Sequence, residues 1–343
     1  MVTVAVDGNG ADLGPSEVAA GAALAAKSGV RVLLFADASK IGTVTSGVEV
    51  IDAPVSIAKD PDPALAVRST PEASIVQAAR AVKDGRAQAL VSGGSTGSAL
   101  AAGLFNLKRD RGILRPALAL PLPRPGLDPL ILLDVGANVS CRPEHLIQFA
   151  HMGSAFAEAV LDLDNPRVGV LSNGTEAVKG TPDLKEVHDR LLGPEGEDLN
   201  FLGNIEGTDV MANVVDVVVA DGFVGNVALK LVEGVSSQTL GVVRDAVMGS
   251  WRAKLGGLLL RPALTQLRDE VDPEATGGAY MLGLRQVGIV CHGRFTRRGF
   301  ARAIELAAHA VDVDVIGKTH DALDRAGALR GKAAGALEEP TTV

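Results

Sequence analysis

Short apolar, β-branched runs alternate along this chain with longer stretches whose apolar positions recur every three or four residues. The short runs, at 2–6, 31–36, 48–51, 89–91, 117–120, 131–133, 168–171, 201–202, 215–219 and 288–291, predict buried strands. Helical periodicity covers 17–27, 72–83, 98–107, 143–161, 182–192, 227–248 and 300–315; in 143–161 the apolar positions are Leu146, Phe149, Ala150, Gly153 and Ala157. Strands separated by helices imply βαβ units, so the pattern predicts an α/β fold: a mainly parallel sheet flanked by helices in three αβα layers. The segment Pro121-Leu-Pro-Arg-Pro-Gly126 reads as a loop, 1–326 as a single catalytic domain, and the Ala/Gly/Glu/Pro-rich 327–343 as a flexible tail.

Several strands run straight into a turn rich in Gly, Asn, Ser or Asp and then into a helix. The clearest copy is Val214-Val-Asp-Val-Val-Val-Ala220, then Asp221-Gly-Phe-Val-Gly-Asn226, then Val227-Ala-Leu-Lys230. Glycine lets backbone approach a ligand closely, and a helix start offers unpaired N–H groups. Turns of this kind gathered at the carboxyl edge of one parallel sheet would form an anion-binding cleft.

Composition narrows the partners. The chain has 343 residues, 47% hydrophobic and only 3% aromatic, with a net charge of −8. Scarce aromatics and negative charge argue against nucleic acid. Two cysteines, Cys141 and Cys291, have no metal-ligand spacing and define no disulfide framework. No leader is visible before the first strand and no apolar run is long enough to span a bilayer, so a cytoplasmic protein is expected. Gly8-Asn-Gly-Ala-Asp-Leu-Gly14 has GxGxxxG spacing rather than the dinucleotide GxGxxG and reads as a decoy.

Leu132-Leu-Asp-Val-Gly-Ala-Asn138, Arg142-Pro-Glu-His-Leu146 and Gln148-Phe-Ala-His-Met-Gly-Ser154 resemble motifs of the bacterial phosphate acyltransferases, the acyl-carrier-protein:phosphate transacylases of phospholipid synthesis. The likeness extends through Asn165-Pro-Arg-Val-Gly169, Phe201-Leu-Gly-Asn-Ile-Glu-Gly207, Asp221 to Lys230 and Val290-Cys-His-Gly293, with Val6-Asp7 at the start. Gly94-Ser-Thr-Gly97 stands where that family commonly has Gly-Asn-Thr-Gly. The resemblance implies a fold similar to phosphotransacetylases and isocitrate-dehydrogenase-like proteins, a homodimer, and attack of inorganic phosphate on the thioester of acylated acyl carrier protein. Such a reaction needs an anion held beside a carbonyl and an oxyanion stabilised, with no cofactor and no metal.

On that reading Lys179 and Asn226 are the catalytic candidates, Lys179 to offset phosphate charge and Asn226 to donate its amide. Asp7, Gly10, Ser95, Thr96, Gly97, Asp134, Asn138, Asn173, Asp221, Gly225 and His292 are the substrate-binding candidates. At least one of the three aspartates is expected to orient loop N–H groups or pair with a cation. Lys179 also reads as a solvated loop residue and Asn226 as a helix cap. Both cysteines read as small buried hydrophobes rather than nucleophiles.

Residues 249–270 predict a basic amphipathic hairpin. Trp251, Leu255, Leu258 and Leu259 are its membrane-facing candidates, with burial against a second subunit as the competing reading. A membrane seat would suit delivery of acyl phosphate to a downstream membrane acyltransferase. Basic clusters at Lys108, Arg109, Arg111 and Arg115, and at Arg294, Arg297, Arg298 and Arg302, are candidate docks for the acidic carrier. The rival functions are a short-chain phosphate acetyl- or butyryltransferase using acyl-CoA, and a non-catalytic carrier-protein scaffold at the membrane.

Overall fold

The computed structural model describes residues 1–330. Its strands are β1 (Thr3–Asp7), β2 (Arg31–Ala36), β3 (Val48–Asp52), β4 (Ala89–Ser92), β5 (Ala117–Arg124), β6 (Leu127–Leu133), β7 (Arg167–Leu171), β8 (Asn200–Ile205), β9 (Val217–Val219), β10 (Ala279–Leu282) and β11 (Val287–Val290). They form one sheet in the order β3-β2-β1-β4-β11-β10-β5-β6-β9-β7-β8. The helices are α1 (Pro15–Lys27), α2 (Pro63–Ser69), α3 (Ser74–Lys83), α4 (Thr96–Ala102), α5 (Pro143–Leu161), α6 (Pro182–Leu192), α7 (Gly222–Met248), α8 (Trp251–Glu270), α9 (Arg297–Asp312) and α10 (Val315–Arg325).

Alternation along each strand builds the three layers. Val4, Val6, Leu34, Ile131, Leu133 and Val219 pack on one face with α1, α5 and α9, while Ala5, Phe35, Leu90, Leu132 and Val218 pack on the other with α3. With both faces covered, the strands read as continuous apolar runs.

The sheet is parallel in two halves rather than throughout. β3, β2, β1, β4 and β11 run one way, and β6, β9, β7 and β8 run together on the far side. Between them β11 to β10, β10 to β5 and β5 to β6 are all antiparallel, so the two halves point in opposite directions. The strand-end turns therefore do not share one carboxyl edge, contrary to the simple βαβ expectation.

Three other expectations change. Residues 121–124 are strand, not loop: β5 pairs with β6 as a hairpin closing at Gly126. Pro121 and Pro123 are tolerated because β10 pairs only with Ala117 to Ala119, leaving the rest of β5 unpaired on that side. Residues 249–270 are not a hairpin but one helix, α8, with Pro262 inside it; the hairpin is α7 plus α8. The chain also stays in the fold past 326, since Gln148 Nε2 donates to Ala328 O at 2.7 Å and Arg330 N donates to Gly112 O at 3.0 Å. Residues 331–343 of the expected tail lie outside the described residues.

Candidate active site

A cavity of ≈ 290 Å³ lies over the central strands, floored by Leu118 and Leu120 of β5 with Ala279 and Val290. Turns from both halves of the sheet wall it. Gly94, Ser95 and Thr96 come from the end of β4, Cys291, His292 and Gly293 from the end of β11, and Val135 from the end of β6. The fourth wall is α7, through Asn226, Leu229, Lys230 and Glu233.

Local chemistry seats α7 there. Asp221 caps it by accepting from Val224 N at 2.8 Å, and Gly222 N donates to Asn138 O at 2.7 Å. Gly225 has no alternative: a Cβ there would stand 1.9 Å from Asp134 O, so only glycine lets the helix lie on the 134–138 turn. Asn226, Lys230 and Glu233 then follow at i, i+4 and i+7 on one face. Lys230 Nζ pairs with Glu233 at 2.8 Å.

The three aspartates organise backbone. Asp134, fully buried, accepts from the N–H groups of Leu118, Gly136, Ala137 and Asn138 and from the Asn138 side chain. Asn138 also donates to Pro116 O at 2.8 Å. Asp7 accepts from the Ser74 hydroxyl at 2.6 Å and the Ser92 hydroxyl at 2.8 Å, and Ser92 Oγ in turn accepts from Gly94 N at 3.1 Å. Burial pushes the Asp7 carboxyl up to about 6, against the opposing pull of those hydroxyls. Asp7, Asp134, Asn138 and Asp221 thus stand behind the cavity walls rather than in them.

Of the other predicted residues, Ser95, Thr96, Asn226 and His292 line the cavity together. Ser95 Oγ accepts from Ser98 N at 3.2 Å and caps α4. Gly97 packs toward Pro63, and Gly10 lies behind Gly94, where a Cβ would meet Ala58 at 2.6 Å. Asn173 and Lys179 are not in the lining. They sit on the exposed turn between β7 and α6, where Asn173 Oδ1 accepts from Gly180 N at 2.9 Å. The cavity's cationic side chain is Lys230, the last residue of the Asp221 to Lys230 motif; its spacing of four from Asn226 is the signal that marks it.

Electrostatics further sort the lining. Burial, then the charges of Arg294 and Lys230, hold His292 below the usual imidazole range, so it is neutral near pH 7. Its Nδ1 accepts from Arg294 N at 3.4 Å, which leaves its proton on Nε2 as a donor. Burial also pushes the Cys141 thiol up to about 12, helped by Asp134 and Asp221, and raises Cys291 strongly. Neither supplies a thiolate. Among the described residues no cluster of three or more His, Cys, Asp or Glu could hold a metal ion.

This architecture is that of the phosphotransacetylases. A phosphotransacetylase from Streptococcus pyogenes superposes with a TM-score of 0.59 at 16% identity, covering 91% of this chain and 94% of that one. A branched-chain phosphotransacylase from Enterococcus faecalis V583 gives 0.58 at 16%, with 91% and 99% covered. In sequence, residues 2–318 match the model of a family described as "Fatty acid synthesis protein". A phosphate acyltransferase of Moorella thermoacetica is 41% identical over 320 residues, 91% of this chain and 93% of that protein. Another, from Streptococcus equi subsp. zooepidemicus, is 40% identical over 324 residues, with 93% and 96% covered. The chain belongs to the phosphate acyltransferase family of enzymes.

Proposed function

We propose that the enzyme transfers a fatty acyl group from acyl carrier protein to inorganic phosphate in the cavity over β5 and β10. The observation that carries this reading is the meeting, in one small cavity, of an ammonium (Lys230), a carboxamide (Asn226), a neutral imidazole N–H (His292) and the Ser95-Thr96 turn. A phosphate oxygen attacks the thioester carbonyl carbon, the C–O bond forms as the C–S bond breaks, and the thiolate leaves and takes up a proton from solvent. Phosphate is already anionic at neutral pH, so no general base is needed. Lys230 offsets its charge, and Asn226 or His292 donates to the carbonyl oxygen as it becomes an oxyanion. Hydroxylamine trapping of acyl phosphate from palmitoyl acyl carrier protein plus phosphate tests the reaction. Equal turnover of palmitoyl-CoA would favour the CoA-dependent alternative, and no product from either donor would favour the scaffold.

The carrier docks, on this reading, at Arg294 and Arg298. Arg297 of the same cluster forms a bidentate pair with Glu17, and Arg302 donates to Ala275 O at 3.3 Å. Charge reversal at Arg298, which lies outside the cavity lining, should raise KM for the acylated carrier and leave kcat nearly unchanged. The α7–α8 hairpin is the surface for membrane or second subunit: Trp251, Leu255, Leu258 and Leu259 are 67%, 55%, 63% and 84% exposed, and α8 buries no residue within the monomer. Among the described residues no helix is long and apolar enough to cross a membrane. Leu258→Glu with Leu259→Glu should abolish flotation with anionic liposomes; unchanged flotation would leave the hairpin to dimer contacts, read by sedimentation.

A further inference from the structure

The reaction site opens into a second cavity of ≈ 430 Å³, and the two share Leu120, Leu229, Glu233, Pro273, Thr276 and Phe295. Beyond that shared waist the lining turns to Leu122, Met211, Val232, Leu240 and Val271. Its charged groups have partners elsewhere: Glu233 is held by Lys230, Glu274 by the Thr296 hydroxyl and the Thr296 and Gly299 N–H groups, Asp272 accepts from Glu274 N, and Arg268 pairs with Asp269, while Arg294 is exposed. From the acyl-transfer reading we infer that this groove holds the methylene chain of the acyl group, with its carbonyl at Asn226 and Lys230 and its methyl end toward Leu240.

Length and direction support one occupant. Along α7, Leu229 and Leu240 are eleven residues apart, about 17 Å at the helical rise. One bilayer leaflet, roughly 15 Å of hydrocarbon, is the length of one fatty chain. A CoA or carrier phosphopantetheine arm is amide-rich and would leave polar groups facing leucine and valine. The groove also runs along α7 in the direction of its far end, where Val242, Val243 and Met248 are exposed and the chain turns into α8 with its exposed Trp251 and leucines. The groove that measures the chain thus points it toward the hairpin.

Burial of each methylene favours binding by about fourfold. Wild-type kcat/KM should therefore climb steeply from butyryl to palmitoyl donors on one carrier. Ser236, in the groove but outside the reaction cavity, is the site for a plug. Ser236→Trp should lower kcat/KM for palmitoyl carrier at least a hundredfold while butyryl transfer stays within threefold, which also shows the variant to be folded. Leu240→Ser, which fills nothing, should flatten only the long-chain end of the profile. Unchanged chain-length profiles in both variants would overturn the groove assignment while leaving acyl transfer intact. Failure of wild type to form acyl phosphate from any donor would instead sink the underlying reading.

Discussion

Asp7 gives a prediction whose size follows from its surroundings. Its carboxyl takes up a proton near pH 6 in the folded chain, against an ordinary value of 3.8. Between those values the folded protein holds more protons than the unfolded one, so stability falls as pH rises through this window. Each unit of displacement is about 1.4 kcal/mol, so keeping Asp7 ionised above pH 6 costs on the order of 3 kcal/mol. Asp7→Asn removes the titration and keeps an oxygen for one of the two serine hydroxyls. Unfolding free energies of both proteins from urea titrations at pH 5 and pH 7.5 cancel the other carboxylates. Relative to the variant, wild type should be about 1.4 kcal/mol less stable at pH 7.5 than at pH 5, one unit of the window. An identical wild-type-minus-variant difference at the two pH values would refute the argument and return Asp7 to an ordinary carboxylate.

Three further outcomes are expected. Lys230→Ala and Asn226→Ala should each lower kcat/KM by about 10²–10³ with unchanged Tm, whereas Lys179→Ala should cost less than roughly tenfold; the reverse ranking would move the charge-offsetting role to the β7–α6 turn. Cys141→Ala and Cys291→Ala should keep near-normal turnover, and mass spectrometry of enzyme mixed with acyl donor should find no acyl-cysteine. Gly225→Ala should destabilise by about 3 kcal/mol or more in a thermal melt, because its methyl meets the Asp134 carbonyl and α7 must lift off the turn.

The layers were legible because both the strand alternation and the helical period are imposed by burial on two faces. α7, α5 and most strands fall where the pattern puts them. The reversal between the two halves was hidden by β10, a four-residue strand between Gly278 and Gly283 that looks like turn, and by the prolines of β5. Within the site, Ser95, Thr96, Asn226 and His292 belong to separate motifs that the fold joins. Lys179 and Lys230 look alike in a motif. Only placement distinguishes them, since one lies on an exposed turn and the other one helical turn from Asn226. The aspartates marked strand ends correctly, but a sequence does not show whether a carboxylate faces a ligand or its own backbone.

That inward-facing arrangement bears on which nucleophile the enzyme admits. Water attacks a thioester efficiently only when a base removes its proton, whereas phosphate needs no such help. Asp7, Asp134 and Asp221 are all committed to serine hydroxyls or backbone N–H groups. Of the titratable groups in the cavity lining, Glu233 is held by Lys230, His292 carries its proton on Nε2, and Cys291 stays a thiol. The one carboxylate among the described lining residues, Glu233, is thus paired with a cation over the leucine floor. On the proposed reading this arrangement favours phosphorolysis over thioester hydrolysis, because phosphate attacks without a base and water does not.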